Sequence, residues 1–518
     1  MADSRIHSDP TGRAVANSEI HSDPTLWRAA AWVLVVFGLV YGFTAGGGLT
    51  TTDARYVIDV TRAIVEEGSV ALSPELSDRE TNRGVDGRYY SQYGLGHSIY
   101  GIPFYLAGRA LDHLAGDRVG RPRAFAKATF SLGSVVAAAV CVALCFLFAW
   151  HLTGDRRASL YAAAAAGFGS LLWPYSGFGF NAALAALLLV GSCLAVWVGA
   201  SYNRPGVLLL AGMLIGFGWI TRHEQVLAVL PVVAFLLVEH AGNRRRLLRD
   251  MALVAPGLLG ALALLGIYNQ VRFGSPFESG YSPTFGLEGF WGFTLSPGGS
   301  LLLYSPIVLV GLAGLWIAAR GRERAAAVLI GGQFLLFFVF FASLDDWPGG
   351  RAYGPRYMVP ALALVSVATS IVYSRASAGW RRALMTVLVL SSIVQLPGVL
   401  VDYSRVSRGG VPLVEQHHHL ASSAIGACAV AAAKALPQNL RYLLGVEPPP
   451  TVGRDGGDEF QERLAFSLDF WWVYLFYLGV IPRGLALVIP LVGLVAVAAA
   501  AARLAKALAA VPDRRGPD

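Results

Sequence analysis

The chain has 518 residues, 55% of them hydrophobic and only 14% charged. That much apolar surface cannot be hidden in one soluble core, so the composition excludes a soluble globular domain and points to a polytopic membrane protein. The net charge of +8 would suggest nucleic acid in a soluble protein, but here the arginines sit in short turns between apolar segments, beside anionic headgroups, and no nucleic-acid partner is implied.

Residues 1–28 are polar and repeat Ile-His-Ser-Asp-Pro-Thr at Ile6–Thr11 and Ile20–Thr25, which reads as a disordered cytoplasmic tail. The first apolar run, Ala29–Ala45, reads as a retained signal anchor. Further spans are expected at Ala124–Trp150, Leu160–Tyr175, Ala182–Ala200, Gly206–Thr221, Gln225–Val238, Met251–Tyr268, Leu301–Ala319, Ala325–Ala342, Tyr357–Tyr373, Ala383–Val401 and Leu485–Ala502. The fold class is therefore an all-α polytopic membrane protein with about 12 transmembrane helices. Tyr100–Leu114 and the aromatic Phe470–Val480 are too interrupted or too short to span, and are expected as helices in the outer interface.

Arginine-rich turns recur at every second connection: Arg156/Arg157, Arg204, Arg244 to Arg249, Arg320 to Arg324 and Arg375 to Arg382. Positive residues mark the cytoplasmic side, so both termini are placed in the cytoplasm and the chain in the cell (inner or plasma) membrane. The other connections are longer, and any chemistry belongs there. Residues 46–122 form a large first outer loop, residues 403–484 a second one carrying the aromatic helix, and residues 485–518 the last span with a cytoplasmic tail. Within the first loop, Val57, Val60 and Ile64 recur at helical spacing, so Asp53–Glu67 should be a short amphipathic helix. Cys141, Cys145 and Cys193 lie in apolar segments and only Cys428 in an outer loop, so no disulfide framework can be drawn.

Five groups of residues could carry chemistry. Asp53, just past the first span, is placed as a general base; the bland alternative is a helix cap. Arg222, with Glu224, interrupts an apolar stretch and suits an anionic ligand, or a tight turn closed by an Arg/Glu pair. Arg351 and Arg356 follow Asp345-Asp346-Trp347-Pro348-Gly349-Gly350 and could clamp a lipid phosphate, as could Arg272, or could anchor the interface. Tyr89, Tyr90, Ser91, Tyr93 and nearby Ser98 offer hydroxyl donors for a polyol or phosphate. The run His417-His418-His419 is a weak metal site because consecutive side chains diverge. Nucleotide-binding, zinc-hydrolase and serine-hydrolase signatures are absent from the sequence.

The order and sidedness of these motifs resemble the GT-C superfamily of membrane glycosyltransferases, in particular the bacterial branch related to protein O-mannosyltransferases and the lipid A aminoarabinose transferase. The resemblance rests on Thr52-Asp53-Ala54-Arg55-Tyr56, Tyr90-Ser91-Gln92-Tyr93-Gly94-Leu95-Gly96-His97, Arg123, Thr221-Arg222-His223-Glu224, Tyr268-Asn269, Phe273-Gly274-Ser275-Pro276, Leu303-Tyr304-Ser305-Pro306 and Gly354-Pro355-Arg356-Tyr357. It covers residues 29–402 as a GT-C-like catalytic module. It implies transfer of a sugar from a polyprenyl-phosphate donor to a lipid, glycan or protein hydroxyl on the outer face, with Asp53 as base, Arg222, Arg351 and Arg356 on the donor phosphate, and Tyr89, Tyr90, Tyr93, His97, Asn181 and Glu224 lining the cleft. Many relatives carry a second acid where this chain has Ala54, some carry one at Asn181, and a Pro-Pro-Leu step is replaced by Gly94–His97. No cofactor is required by these motifs, and a divalent cation stays open. A transporter or flippase for lipid-linked sugars and a noncatalytic assembly subunit are the rival functions.

Overall fold

The computed structural model describes residues 23–49, 51–76, 81–115, 123–321, 323–406, 415–449 and 467–513. The expected disordered tail lies, except for its last residues, outside them. Helix α1 (Pro24–Thr44) starts where Asp23 accepts from the Thr25 amide at 2.8 Å, with proline in the first turn, where its missing N–H costs nothing. After it come α2 (Thr52–Arg62), a short hairpin of β1 (Thr81–Arg83) and β2 (Tyr89–Ser91), and α3 (Gly96–Ala115). The chain then re-enters the bundle through α4 (Ala124–Thr153).

The expected Leu160–Tyr175 span is two pieces, α5 (Arg156–Gly167) and the one-turn α6 (Leu172–Ser176). The break falls where Gly167 lies against the Phe37 ring, a site with no room for a side chain. Next come α7 (Asn181–Ser201) and α8 (Pro205–Thr221); the following span opens as a 3-10 turn, His223–Ala228, before α9 (Val229–Glu239). Then α10 (Arg244–Phe273) leads through α11 (Glu288–Leu295) and α12 (Leu301–Tyr304) into α13 (Val308–Arg320). Two further spans, α14 (Arg324–Ala342) and α15 (Arg356–Arg375), precede α16 (Ala378–Leu400). The last outer segment carries α17 (Ala424–Leu444) and α18 (Trp471–Tyr477) before α19 (Arg483–Ala510).

Eight of these helices are long and apolar enough to cross a membrane. The shorter apolar α8 and α13 and the broken α5/α6 and 3-10/α9 segments fill the other expected positions. The chain is a multi-pass membrane protein. The core of the bundle is α4, α7 and α15; 94% of the apolar window of α7 is buried against 17% for α19, so α7 is a central post and α19 a peripheral helix. Small residues let the helices touch. Gly212 and Gly216 of α8 meet the backbone of Val254 and Gly257 of α10, the close crossing that a small-xxx-small spacing allows without a hydrophobic driving force.

Contacts between connections fall into two sets, and this is the check on the expected alternation. At one end, Asn82 reaches the Gly280 carbonyl, Asp53 reaches Arg356, and the Trp471 amide reaches the Ala45 carbonyl. At the other, Arg156 meets Asp513, Arg246 meets the Ala200 carbonyl, Arg249 meets Asn203 and Arg375 meets Glu323. The long connections gather at the first end and the arginine-rich turns at the second.

Helix α17 went unread in the sequence, where residues 403–484 pass for a loop with one aromatic helix. Its signal is present: Ser423 caps Gly426, and Ala424, Ala427, Cys428, Ala431, Ala432 and Ala435 form one buried stripe. Alanines carry little hydrophobic contrast, which is why the stripe is faint.

Candidate functional site

The segment after α1 has its own cap. Thr51 accepts from the Ala54 amide, which frees Asp53, two residues after Thr51, from the capping role. Its carboxylate is instead held at both oxygens: the Tyr93 hydroxyl donates to Oδ1 at 2.8 Å and Arg356 Nη1 to Oδ2 at 3.1 Å. Asp53 and Arg356 are about equally shielded, with 17% and 16% of their side-chain surface exposed.

Arg356 is delivered by the turn at the start of α15, where Gly349, Gly350 and Gly354 take left-handed conformations that side chains resist. Its guanidinium lies over Phe180 at 4.8 Å and beside the Tyr357 ring at 5.1 Å. Its Nε is buried and has no hydrogen-bond acceptor among the described residues. Arg222 approaches the same Tyr357 ring at 5.5 Å and Phe341 at 5.7 Å while pairing with Glu224. Two arginines from distant turns therefore flank one tyrosine, whose hydroxyl donates to Asp346 at 2.6 Å. Tyr281 faces the group from the loop after α10: burial, then Asp346 and Glu224, raise its pKa, with Arg222 and Arg356 pulling it down.

The other sequence candidates are dispersed. Arg351 is exposed and makes no ion pair among the described residues. Tyr89 is 37% exposed, and Tyr90 is buried with its hydroxyl on Asp86 at 2.8 Å, inside the hairpin. His97 is buried beside Phe130, which pushes its pKa down to about 4, so it is a neutral packing group near pH 7. Asn181 opens α7 directly after Phe180, the ring beneath Arg356. Arg272 is fully buried, donating to the Ser91 carbonyl at 2.6 Å and to Asn269 at 2.7 Å; it ties the hairpin to α10. His417 packs on Trp347, while His418 pairs with Glu288 at 3.3 Å, so the histidine run splits. Among the described residues no three His, Cys, Asp or Glu side chains gather as metal ligands.

The first loop reaches Arg222 through a glycine contact. A Cβ on Gly94 would collide with the Ile220 and Thr221 carbonyls, and one on Gly96 with Thr221, so Gly94–His97 lies directly on the backbone that precedes Arg222. Gly94→Val should therefore displace the loop carrying Tyr93 and cost about 1–3 kcal/mol, the range for overpacking a tight contact. The thermal midpoint in detergent reports it. Gly260→Ala, where nothing lies within 4 Å, should leave the midpoint unchanged or raise it; equal effects from both would refute the close-contact account.

A second carboxylate pair, which sequence reading missed, lies at the two ends of the last outer segment, after α16 and before α18. Asp402 and Asp469 are both buried. Ser404 donates to Asp402 through its amide and hydroxyl at 3.0 and 2.6 Å, Arg405 approaches it at 3.3 Å, and the Tyr474 hydroxyl donates to Asp469 at 2.7 Å. Burial first, and Asp402 second, push the Asp469 carboxyl up to about 7. The folded protein then holds a proton that the unfolded chain releases, so the contribution of Asp469 to stability is full below the ordinary carboxylate value of 3.8 and is lost as pH rises through about 7. Asp469→Asn keeps an acceptor for Tyr474 and removes the titration. Thermal midpoints at pH 5 and pH 8 should differ in the wild type and converge in the variant; a slope unchanged by the substitution would exclude Asp469 as its source.

This bundle has the GT-C fold of membrane glycosyltransferases. The family model described as dolichyl-phosphate-mannose-protein mannosyltransferase matches residues 125–268, from α4 to the end of α10. The apo structure of ArnT from Cupriavidus metallidurans superposes with a TM-score of 0.50 at 15% identity, covering 87% of this chain and 75% of that one. The same enzyme bound to undecaprenyl phosphate gives 0.49 at 15% identity, over 87% and 76%. The Archaeoglobus fulgidus oligosaccharyltransferase in complex with zinc and sulfate gives 0.46 at 14% identity, over 89% and 61%. No curated protein sequence matches the chain.

Proposed function

We propose that this protein transfers a sugar from a polyprenyl-phosphate donor to a hydroxyl acceptor on the outer face of the cell membrane, with both termini in the cytoplasm. The observation that carries the reading is the pairing of Asp53 with a largely shielded Arg356 whose buried Nε–H has no acceptor among the described residues. A buried donor left unmade is costly, and a phosphate oxygen would satisfy it. The resemblance of the sequence motifs and the ArnT-like fold agree with a lipid-phosphate sugar.

In the proposed step the acceptor O–H gives its proton to Asp53 while its oxygen attacks the anomeric carbon from the face opposite the phosphate. The carbon–oxygen bond to phosphate breaks, and polyprenyl phosphate departs with the electron pair. Arg356 and Arg222 neutralise the growing charge, and configuration inverts. Tyr93 holds Asp53 by its other oxygen, Glu224 orients Arg222, and Tyr281 and Asn181 border the cleft; Arg351 meets the donor from the exposed side of its turn. Positioning and fixed charges supply most of the rate in such a step.

The test is an assay of purified protein with radiolabelled polyprenyl-phosphate sugars and hydroxyl acceptors, following both labelled product and released polyprenyl phosphate. Stoichiometric appearance of both supports transfer. Movement of labelled lipid across a vesicle bilayer without release would instead show a flippase, and neither activity would show a noncatalytic subunit.

A further inference from the structure

We propose that the end of the bundle where α1 begins and α19 ends holds a site for the headgroup phosphate of an anionic phospholipid, formed by Arg28 of α1 with Arg503 and Lys506 of α19. Helices α1 and α19 pack side by side, and their ends leave a cavity of about 400 Å³ lined by Pro24, Thr25, Arg28, Trp32, Arg503 and Lys506, with alanines of α19 as its floor. The size suits one headgroup.

None of the three cations has an acidic partner among the described residues. The usual structural reasons for a cation at a helix end do not apply. Arg28 lies near the start of α1, where the helix dipole is positive and disfavours another positive charge. At the far end of α19 carbonyls are capped by another cation: Arg156 donates to Leu508, Ala509 and Val511 at 3.1, 2.9 and 3.0 Å. Arg503 and Lys506 are thus surplus to capping. Concave cationic sites between spans on one side of the bilayer are the form that anionic headgroup recognition takes, and Trp32 supplies a ring suited to the headgroup level.

A lipid is favoured over free phosphate because the two helices that line the cavity carry exposed apolar residues further along their length. Leu34 and Val35 of α1 are 37% and 36% exposed, and Leu491, Val492, Leu494 and Val495 of α19 more so. Acyl chains can run along these faces while the phosphate sits among the cations.

The experiment is native mass spectrometry of the full chain released from nanodiscs containing equal phosphatidylglycerol and phosphatidylcholine. The wild type should retain phosphatidylglycerol preferentially. The triple variant Arg28→Gln/Arg503→Gln/Lys506→Gln should lose that adduct by about tenfold and Arg28→Gln alone by about threefold, as expected when localised charges hold a headgroup. The matched control Arg244→Gln/Arg245→Gln/Arg382→Gln, which removes exposed cations from the same end, should keep it. Equal loss in both triples would overturn the site in favour of a diffuse field. Displacement of the adduct by millimolar inorganic phosphate, with no preference between the lipids, would overturn the lipid assignment. A monodisperse Arg28→Gln variant with an unchanged adduct would overturn it independently of any folding defect in the triple.

Discussion

Asp53→Asn is expected to lower the turnover of the purified protein by about 10²–10⁴, the range that a positioned general base contributes. The amide has the same shape and can still accept from Tyr93, which holds Oδ1 at 2.8 Å, but it cannot take a proton from the acceptor. It also removes the charge that faces Arg356 at 3.1 Å, so the thermal midpoint should fall even as the variant inserts normally and elutes as one species. The decisive measurement is single-turnover transfer at saturating donor. Activity within a factor of about ten of wild type would remove Asp53 from the role of base, whatever happened to stability.

Arg356→Ala should cost about 10²–10³ in turnover, as for a lost group that stabilises developing charge, and should weaken donor binding as well. Two effects separate here. Arg356 pairs with Asp53 before the donor arrives, and it meets the leaving phosphate afterwards, so the double variant with Asp53→Asn should be much less impaired than the product of the two single losses. Arg222→Ala should raise the donor KM more than it lowers kcat, because Arg222 is shared with Glu224 and reaches Arg356 only across the Tyr357 ring. Strict additivity of Asp53→Asn and Arg356→Ala would mean that they act at separate places, against their 3.1 Å contact.

Asp53 and Arg356 each stood out in the sequence as an ionisable residue at the mouth of an apolar run, where a charge is expensive without a use, but their contact did not. The surrounding tyrosines were not separable by sequence. Tyr89, Tyr90 and Tyr93 have the same chemistry within five residues, yet only Tyr93 turns to Asp53; the hairpin sends the hydroxyl of Tyr90 to Asp86. Arg351 and Arg356 share one turn, but the left-handed Gly354 between them turns the chain so that one is exposed and the other largely shielded among Phe180, Tyr357 and Asp53. Arg272 looked like a phosphate ligand and is instead consumed by the Ser91 carbonyl and Asn269, a use that needs the hairpin to be in place.

By itself the sequence determined the class of protein, the positions of the spans and the alternation of the connections between two ends. Those follow from local quantities: the length of an apolar run against the thickness of a bilayer, and the charge of the turn that follows it. Only the tertiary structure decided which side chains meet. Asp53 and Arg356 are 303 residues apart in the chain, and the charge of Asp402 acts on Asp469 from the other side of the last outer segment. Contacts of that kind are fixed by helix packing, where glycines such as Gly94 and Gly212 let backbones touch, and no local pattern of residues encodes the result.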